Sequence, residues 1–188
     1  NLDSFFADGD TLRYLLGREV LEMEKFPESR IAVLEGVMGF YDGLGGVSER
    51  SSAWEVADLT DTPVILLVDM KGRSLSALAS IKGFLDYKEK SHVTGVVFNR
   101  LSPMLYPGLK ERAERELGIR VFGYVPELKD LTLKSRHLGL VMPEEILGIR
   151  ERLDLIKEKV RAGINLDGII EEAGRAAEIE VKLPEAVR

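Results

Sequence analysis

The chain reads as an α/β protein with a mostly parallel sheet flanked by helices, and three observations predict it. Short apolar runs alternate with helix-period segments, the runs are almost continuously apolar, and each ends at once on a polar residue. Strands covered on both faces need continuous apolar character, and βαβ alternation supplies the helices that cover them. A length of 188 residues, 45% hydrophobic and 31% charged, suffices for one domain with a substantial core.

The elements follow in order. Leu12, Leu15, Leu16, Val20 and Met23 recur at three- and four-residue steps, which predicts an amphipathic helix capped by Asp10 or Thr11 and finished before Pro27. The period then changes. "IAVL" (31–34), "VILLV" (64–68), "VTGVVF" (93–98) and "VFGYV" (121–125) are short and rich in β-branched residues, as parallel strands are. Helices are expected between them at 53–59, 74–87 and 109–117, the last closed by Gly118 as its C′ residue. Past Pro143, the stripe Ile146, Ile149, Leu153, Ile156 and Val160 predicts a long helix to about Arg161, packed on the sheet or on a neighbouring subunit. A short helix near 166–177 precedes the charged tail "EIEVKLPEAVR", which reads as the start of a linker.

Composition excludes several classes. The longest apolar run, "PVILLV", is far below the roughly 20 residues a membrane span needs, and no signal segment opens the chain, so no membrane partner and a cytoplasmic location are expected. A net charge of −6 disfavours a nucleic-acid partner, whose phosphates need clustered Lys and Arg. Zero cysteines exclude disulfides, thiolate metal sites and a cysteine nucleophile within these residues.

The polar strand ends carry the chemistry. Glu35, Asp69, Asn99 and Pro126-Glu127 each follow an apolar run, and in open parallel sheets ligands bind outside the carboxyl ends of the strands. Asp69, in "DMKGRS", equally fits a turn and helix start. Glu35 stands beside Gly36 and Gly39 with no Ser, Asn or Pro to make an ordinary turn, which points to a backbone close to a ligand and an acid that holds a cation. Beside phosphates that cation is usually Mg²⁺.

"VLEGVMGFYDGL", "TPVILLVDMKGRSLSALASIKGF", "GVVFNRLS", "VFGYVPE" and "SRHLGLV", in this order, resemble the synthetase domain of the cobyrinic acid a,c-diamide synthase family, within the wider dethiobiotin synthetase-like group; "NLDSFF" resembles the family's "NLD" segment. The resemblance implies a P-loop NTPase-like, dethiobiotin synthetase-like fold and an ATP- and Mg²⁺-dependent ligase. Such an enzyme phosphorylates carboxylates of a tetrapyrrole and converts each acyl phosphate to an amide with glutamine-derived ammonia. On that resemblance Glu35 is a catalytic Mg²⁺ ligand, and Asp42, with Tyr41, faces the tetrapyrrole or orients ammonia. Asn99 bonds the adenine, and the loop at Pro126 and Glu127 closes over the base. Arg136 and His137 match the family's "RHLGL" segment as a substrate contact, a surface turn or a hinge; Ser51 and Ser52 match its "STA" residues or simply cap a helix.

The departures set further expectations. No G-x-x-x-x-G-K-[ST] occurs, so the phosphate cradle and its strand are expected upstream of Asn1, and ATP binding by these residues alone is expected to be weak. Residues 1–178 are expected to be a partial synthetase domain, inactive alone, and 179–188 the start of a linker to a glutaminase domain outside the chain. Exposed sheet edges predict that these residues alone are oligomeric or marginally stable, with a homo-oligomer as the expected partner state. Tyr106 stands where relatives commonly carry histidine after "NR". The competing readings are another carboxylate-activating ligase (a different tetrapyrrole diamide synthase, a cobyric acid synthase or a dethiobiotin synthetase-like protein) and a non-catalytic nucleotide-binding or interaction module.

Overall fold

A computed structural model describes residues 2–22, 30–128 and 148–184. The chain divides into two compact units, Asn1–Val64 with Phe84–Thr94 and Ile170–Arg188, and Ile65–Gly83 with Gly95–Ile169. Its elements run α1 (Gly9–Leu21), α2 (Ala53–Thr60), β1 (Val64–Asp69), α3 (Leu75–Asp86), β2 (Val93–Asn99), α4 (Tyr106–Leu117), β3 (Arg120–Val125), α5 (Ile149–Gly163) and α6 (Leu166–Ala173).

The second unit holds the sheet. Its three strands are all parallel, in the order β1-β2-β3, with helices flanking them, so the expected α/β class stands. Val96 pairs with Val121 and Val97 with Gly123, so Phe122 is an extra residue in β3 and bulges the register. β2 is the covered strand: Val96, Val97 and Phe98 are buried, together with Leu109 and Ala113 of α4 and Val121 and Phe122 of β3. Each such side chain contributes about 1.5–3 kcal/mol by leaving water. β1 differs from expectation. It is only half-buried, and Leu67 is 68% exposed.

The end of α5 meets β3 at glycines. Ile164 bridges Gly123, and Asn165 N–H donates to the Phe122 carbonyl at 2.7 Å. A Cβ on Gly163 would lie 2.3 Å from the Tyr124 carbonyl oxygen, and one on Gly123 would lie 2.1 Å from that of Gly163. Two backbones meet here with no room for a side chain. The expected helix to Arg161 is present as α5 from Ile149, and it packs beside β3; Ile146 lies outside the described residues.

In the first unit, Leu12 and Leu16 of α1 are buried, as is Ala57 of α2, the helix against which α1 packs. The cap of α1 is neither expected residue: Asp8, two positions before Asp10, accepts from Thr11 N–H at 2.8 Å. Asp10 instead pairs with Arg13 in the first turn. Ser52 caps α2 by accepting from Glu55 N–H, and Glu55 in turn accepts from Ser51 N–H at 2.6 Å, a reciprocal closure that leaves few helix donors unsatisfied. Ile179 and Val181, in the expected linker segment, lie against Gly17 of α1.

The largest correction concerns "IAVL". Residues 31–37 form no strand; Val33 and Val37 are each 87% exposed. A strand persists only where a neighbour takes its N–H and C=O groups, and among the described residues none does so here. The apolar pattern is strand-like, but the partner that would bury it is not among these residues.

The Gly163 contact yields a paired stability prediction. Alanine normally gains about 0.5–1 kcal/mol over glycine in a helix, whereas forcing atoms into a filled site costs about 1–3 kcal/mol. In urea unfolding, Gly163→Ala should lower stability by about 1–2 kcal/mol. Gly83→Ala, in α3 with no atom near its added Cβ, should raise it by about 0.5–1 kcal/mol. Equal shifts for the two would contradict the close approach.

Candidate functional site at the strand ends

Parallel pairing brings the exits of β1, β2 and β3 to one edge, and backbone hydrogen bonds continue past each strand. Met70 N–H donates to the Asn99 carbonyl at 2.8 Å, and Leu101 N–H to the Val125 carbonyl at 3.2 Å. Asp69, Asn99 and the Pro126-Glu127 turn are thereby held side by side in the second unit, as the strand-end pattern predicted. Glu127 reaches across to the loop after β1, where its carboxylate pairs with Lys71 Nζ at 2.9 Å.

The sequence reading missed Arg100. Its guanidinium grips both carboxylate oxygens of Asp69, with Nε donating to Oδ1 at 2.7 Å and Nη2 donating to Oδ2. Its backbone is left-handed, φ 59°, a conformation that costs arginine steric strain. Asp69 also accepts from Lys71 N–H at 3.1 Å, so it serves the turn and organises the edge at once. The Arg100 hydrogen bonds, then the Lys71 N–H, hold the Asp69 carboxyl below the usual carboxylate range, and the same pairing raises Arg100.

Tyr106, the departure from the family pattern, stacks on Tyr124 with ring centroids 4.4 Å apart. Burial, then the nearby Glu114 and Tyr124, pushes its hydroxyl pKa up, so it stays neutral near pH 7.

Glu35, Tyr41 and Asp42 lie in the first unit. Glu35 is exposed on the segment 31–37, which forms no strand. Tyr41 anchors an aromatic cluster, stacked on Phe84 with centroids 5.8 Å apart and in contact with Phe40, Trp54 and Tyr87. Its hydroxyl donates to the Phe84 carbonyl at 2.7 Å, and burial, then Tyr87, raises its pKa. The turn after it is built by glycine: Asp42 N–H donates to the Gly39 carbonyl at 2.9 Å, and a Cβ on Gly39 would lie 2.0 Å from Asp42 Oδ2. Asp42 is exposed on this turn, its carboxylate lying over Gly39.

Among the described residues no three His, Cys, Asp or Glu side chains gather as a metal cage. Mg²⁺ beside nucleotide phosphates needs only one or two carboxylates, with phosphate and water completing its shell, and the exposed Glu35 suits that demand. Ser52, 2% exposed, is used as a helix cap, and Arg136 and His137 lie outside the described residues. No helix among the described residues is long and apolar enough to cross a membrane.

The Asp69–Arg100 pair has a pH signature. A carboxyl whose folded pKa is depressed favours folding above its unfolded value of about 3.9, and that contribution is lost as pH falls through the lower folded value. In Arg100→Gln the Asp69 side-chain ¹³C titration midpoint should rise toward about 3.9. A midpoint unchanged by the substitution would show that the guanidinium does not set it.

The chain is 36% identical over 187 residues to the cobyrinate a,c-diamide synthase of Listeria monocytogenes serotype 4b (strain F2365), a match taking in 98% of this chain and 40% of that protein. It is 35% identical over 176 residues to the cobyrinate a,c-diamide synthase of Methanocaldococcus jannaschii, covering 92% of this chain and 38% of the relative. With the hydrogenobyrinate a,c-diamide synthase of Rhodobacter capsulatus it shares 33% identity over 176 residues, 93% of this chain and 39% of the relative. No family model and no solved structure matches. The chain thus spans about two fifths of the length of these curated relatives. Similarity of this extent over nearly the whole chain means that the chain belongs to the cobyrinate a,c-diamide synthase family.

Proposed function

We propose that these residues are the synthetase core of an ATP-dependent, glutamine-hydrolysing enzyme that amidates the a and c carboxylates of cobyrinate in cobalamin biosynthesis. The observation that carries this reading is similarity across 92–98% of the chain to proteins named for that diamidation. The exposed acids and the polar strand edge supply groups that the chemistry needs.

A carboxylate resists amidation because its leaving group would be oxide. Phosphorylation removes that obstacle: a carboxylate oxygen attacks the γ-phosphorus of ATP, ADP leaves, ammonia attacks the acyl carbon, and phosphate departs as the nitrogen loses a proton. The enzyme's work is positioning and charge neutralisation. Glu35 would hold Mg²⁺, which neutralises phosphate charge when bound. Asp42 accepts an N–H bond from ammonia or ammonium and orients the nitrogen, while Tyr41, fixed in its aromatic cluster, holds the turn that carries Asp42 toward the tetrapyrrole. Asn99 offers a donor and an acceptor to the adenine edge, and Pro126 and Glu127 flank the base. Ammonia comes from glutamine through a glutaminase domain elsewhere in the polypeptide.

A second substrate is favoured by one relative, which is named for hydrogenobyrinate. The ratio of kcat/KM for the cobalt-containing and cobalt-free macrocycles decides between the two.

In the full-length enzyme, Glu35→Gln should lower kcat by about 100-fold or more, as loss of transition-state charge stabilisation does, with little change in thermal stability. Asp42→Asn should depress amide formation while leaving the KM for ATP within about twofold. Near-normal turnover of the first, or a selective rise in ATP KM for the second, would overturn the assigned roles.

A further inference from the structure

Within the second unit, an open-sided cleft of about 340 Å³ lies between the loop that leads into α3 and the segment that leads into α4. Its polar lining comes from Arg73, Ser74, Arg100 and Ser102, and Met70 and Leu105 are among its apolar walls. The adenine and metal roles assigned above use none of these residues. We propose that this cleft receives a carboxylate-bearing side arm of the organic substrate, with Arg73 as the recognising cation; this rests on the tetrapyrrole reading above.

Charge and shape lead to that occupant. Arg100 is already committed to Asp69, which neutralises it and fixes its plane as a wall of the cleft. Arg73 donates to a neutral partner, the Ser80 hydroxyl, at 2.5 Å, and its charge acts on Asp69 only through space, the smallest of the influences on that carboxyl, because Arg100 holds both Asp69 oxygens. Its positive charge is therefore available to an incoming anion. A guanidinium fork matches a planar carboxylate with two parallel hydrogen bonds, and the serine hydroxyls can donate to the same oxygens. Free phosphate would satisfy the cations but leave Met70 and Leu105 uncovered, whereas the methylene groups of an acetate or propionate arm would cover them. The volume stands near the lower end of the range for ligand pockets, about 300–1,000 Å³, so it accommodates an arm and not a macrocycle. The left-handed backbone of Arg100 belongs to the same wall: strain of this kind persists where surrounding contacts enforce it.

Equilibrium dialysis of the full-length enzyme against cobyrinate, followed by its visible absorbance, tests the assignment. Arg73→Ala should weaken binding roughly 10- to 100-fold, the effect of losing a charged hydrogen-bonded contact, and Arg73→Lys should recover part of the loss. Ser102→Val, which narrows the cleft and keeps both arginines, should also weaken binding. If wild type and all three variants bind cobyrinate equally, the cleft assignment is wrong and the tetrapyrrole reading stands. If wild type does not bind cobyrinate, the tetrapyrrole reading fails and takes the cleft assignment with it. Should millimolar inorganic phosphate displace cobyrinate and itself bind in an Arg73-dependent manner, the cleft is a phosphate site and the side-arm assignment is overturned.

Discussion

Parallel strand pairing is the constraint on which the described site depends. It makes β1, β2 and β3 leave the sheet at the same edge, and the hydrogen bonds from Met70 to Asn99 and from Leu101 to Val125 carry the pairing just past the strands. Polar residues far apart in sequence are thereby fixed within reach of one another. The Asp69–Arg100 grip and the Lys71–Glu127 pair are consequences of that registry. Being exposed, these pairs add little to stability. Their effect is on orientation, because each side chain is held in one place.

The burial that supports this edge lies below it. Phe98 and Phe122 fill the interior between helices and sheet, and the glycine crossing at Gly123 and Gly163 lets the end of α5 close directly over β3. The first unit solves a different problem with different means. Its glycine turn presents Asp42, and the aromatic cluster around Tyr41 immobilises the residue next to it. Both units combine a rigid apolar support with a polar group displayed at its margin, which is what positioning chemistry requires.

Much of this was legible in the residues themselves. The runs at 64–68, 93–98 and 121–125 became strands within one residue at each end, because their burial is met by helices nearby in sequence. Gly118 sits at the end of α4 with φ 65°, as expected of a C′ glycine. The run at 31–34 has the same composition but no partner among the described residues, since strand formation is a property of a pair and composition describes one member. Asp8 replaced Asp10 as the cap because both acids precede the same apolar stripe, and only geometry distinguishes which carboxylate reaches Thr11 N–H. Arg100 escaped notice for a related reason. A residue following a strand can turn either way, and the left-handed backbone that aims it at Asp69 leaves no compositional trace. Tyr41 was read through the family pattern as a substrate-facing residue; the structure adds that its hydroxyl is engaged by Phe84 and its ring by four neighbours.

The chemistry proposed for this architecture is activation of a carboxylate by phosphorylation at a preorganised polar edge. It can be followed atom by atom. With cobyrinate labelled with ¹⁸O in its carboxylates, the full-length enzyme turning over ATP and glutamine should release inorganic phosphate carrying one ¹⁸O for each amide formed, read by the isotope shift of the ³¹P resonance. Phosphate without label, at normal amide yield, would show that the carboxylate is not phosphorylated and would contradict the proposed mechanism.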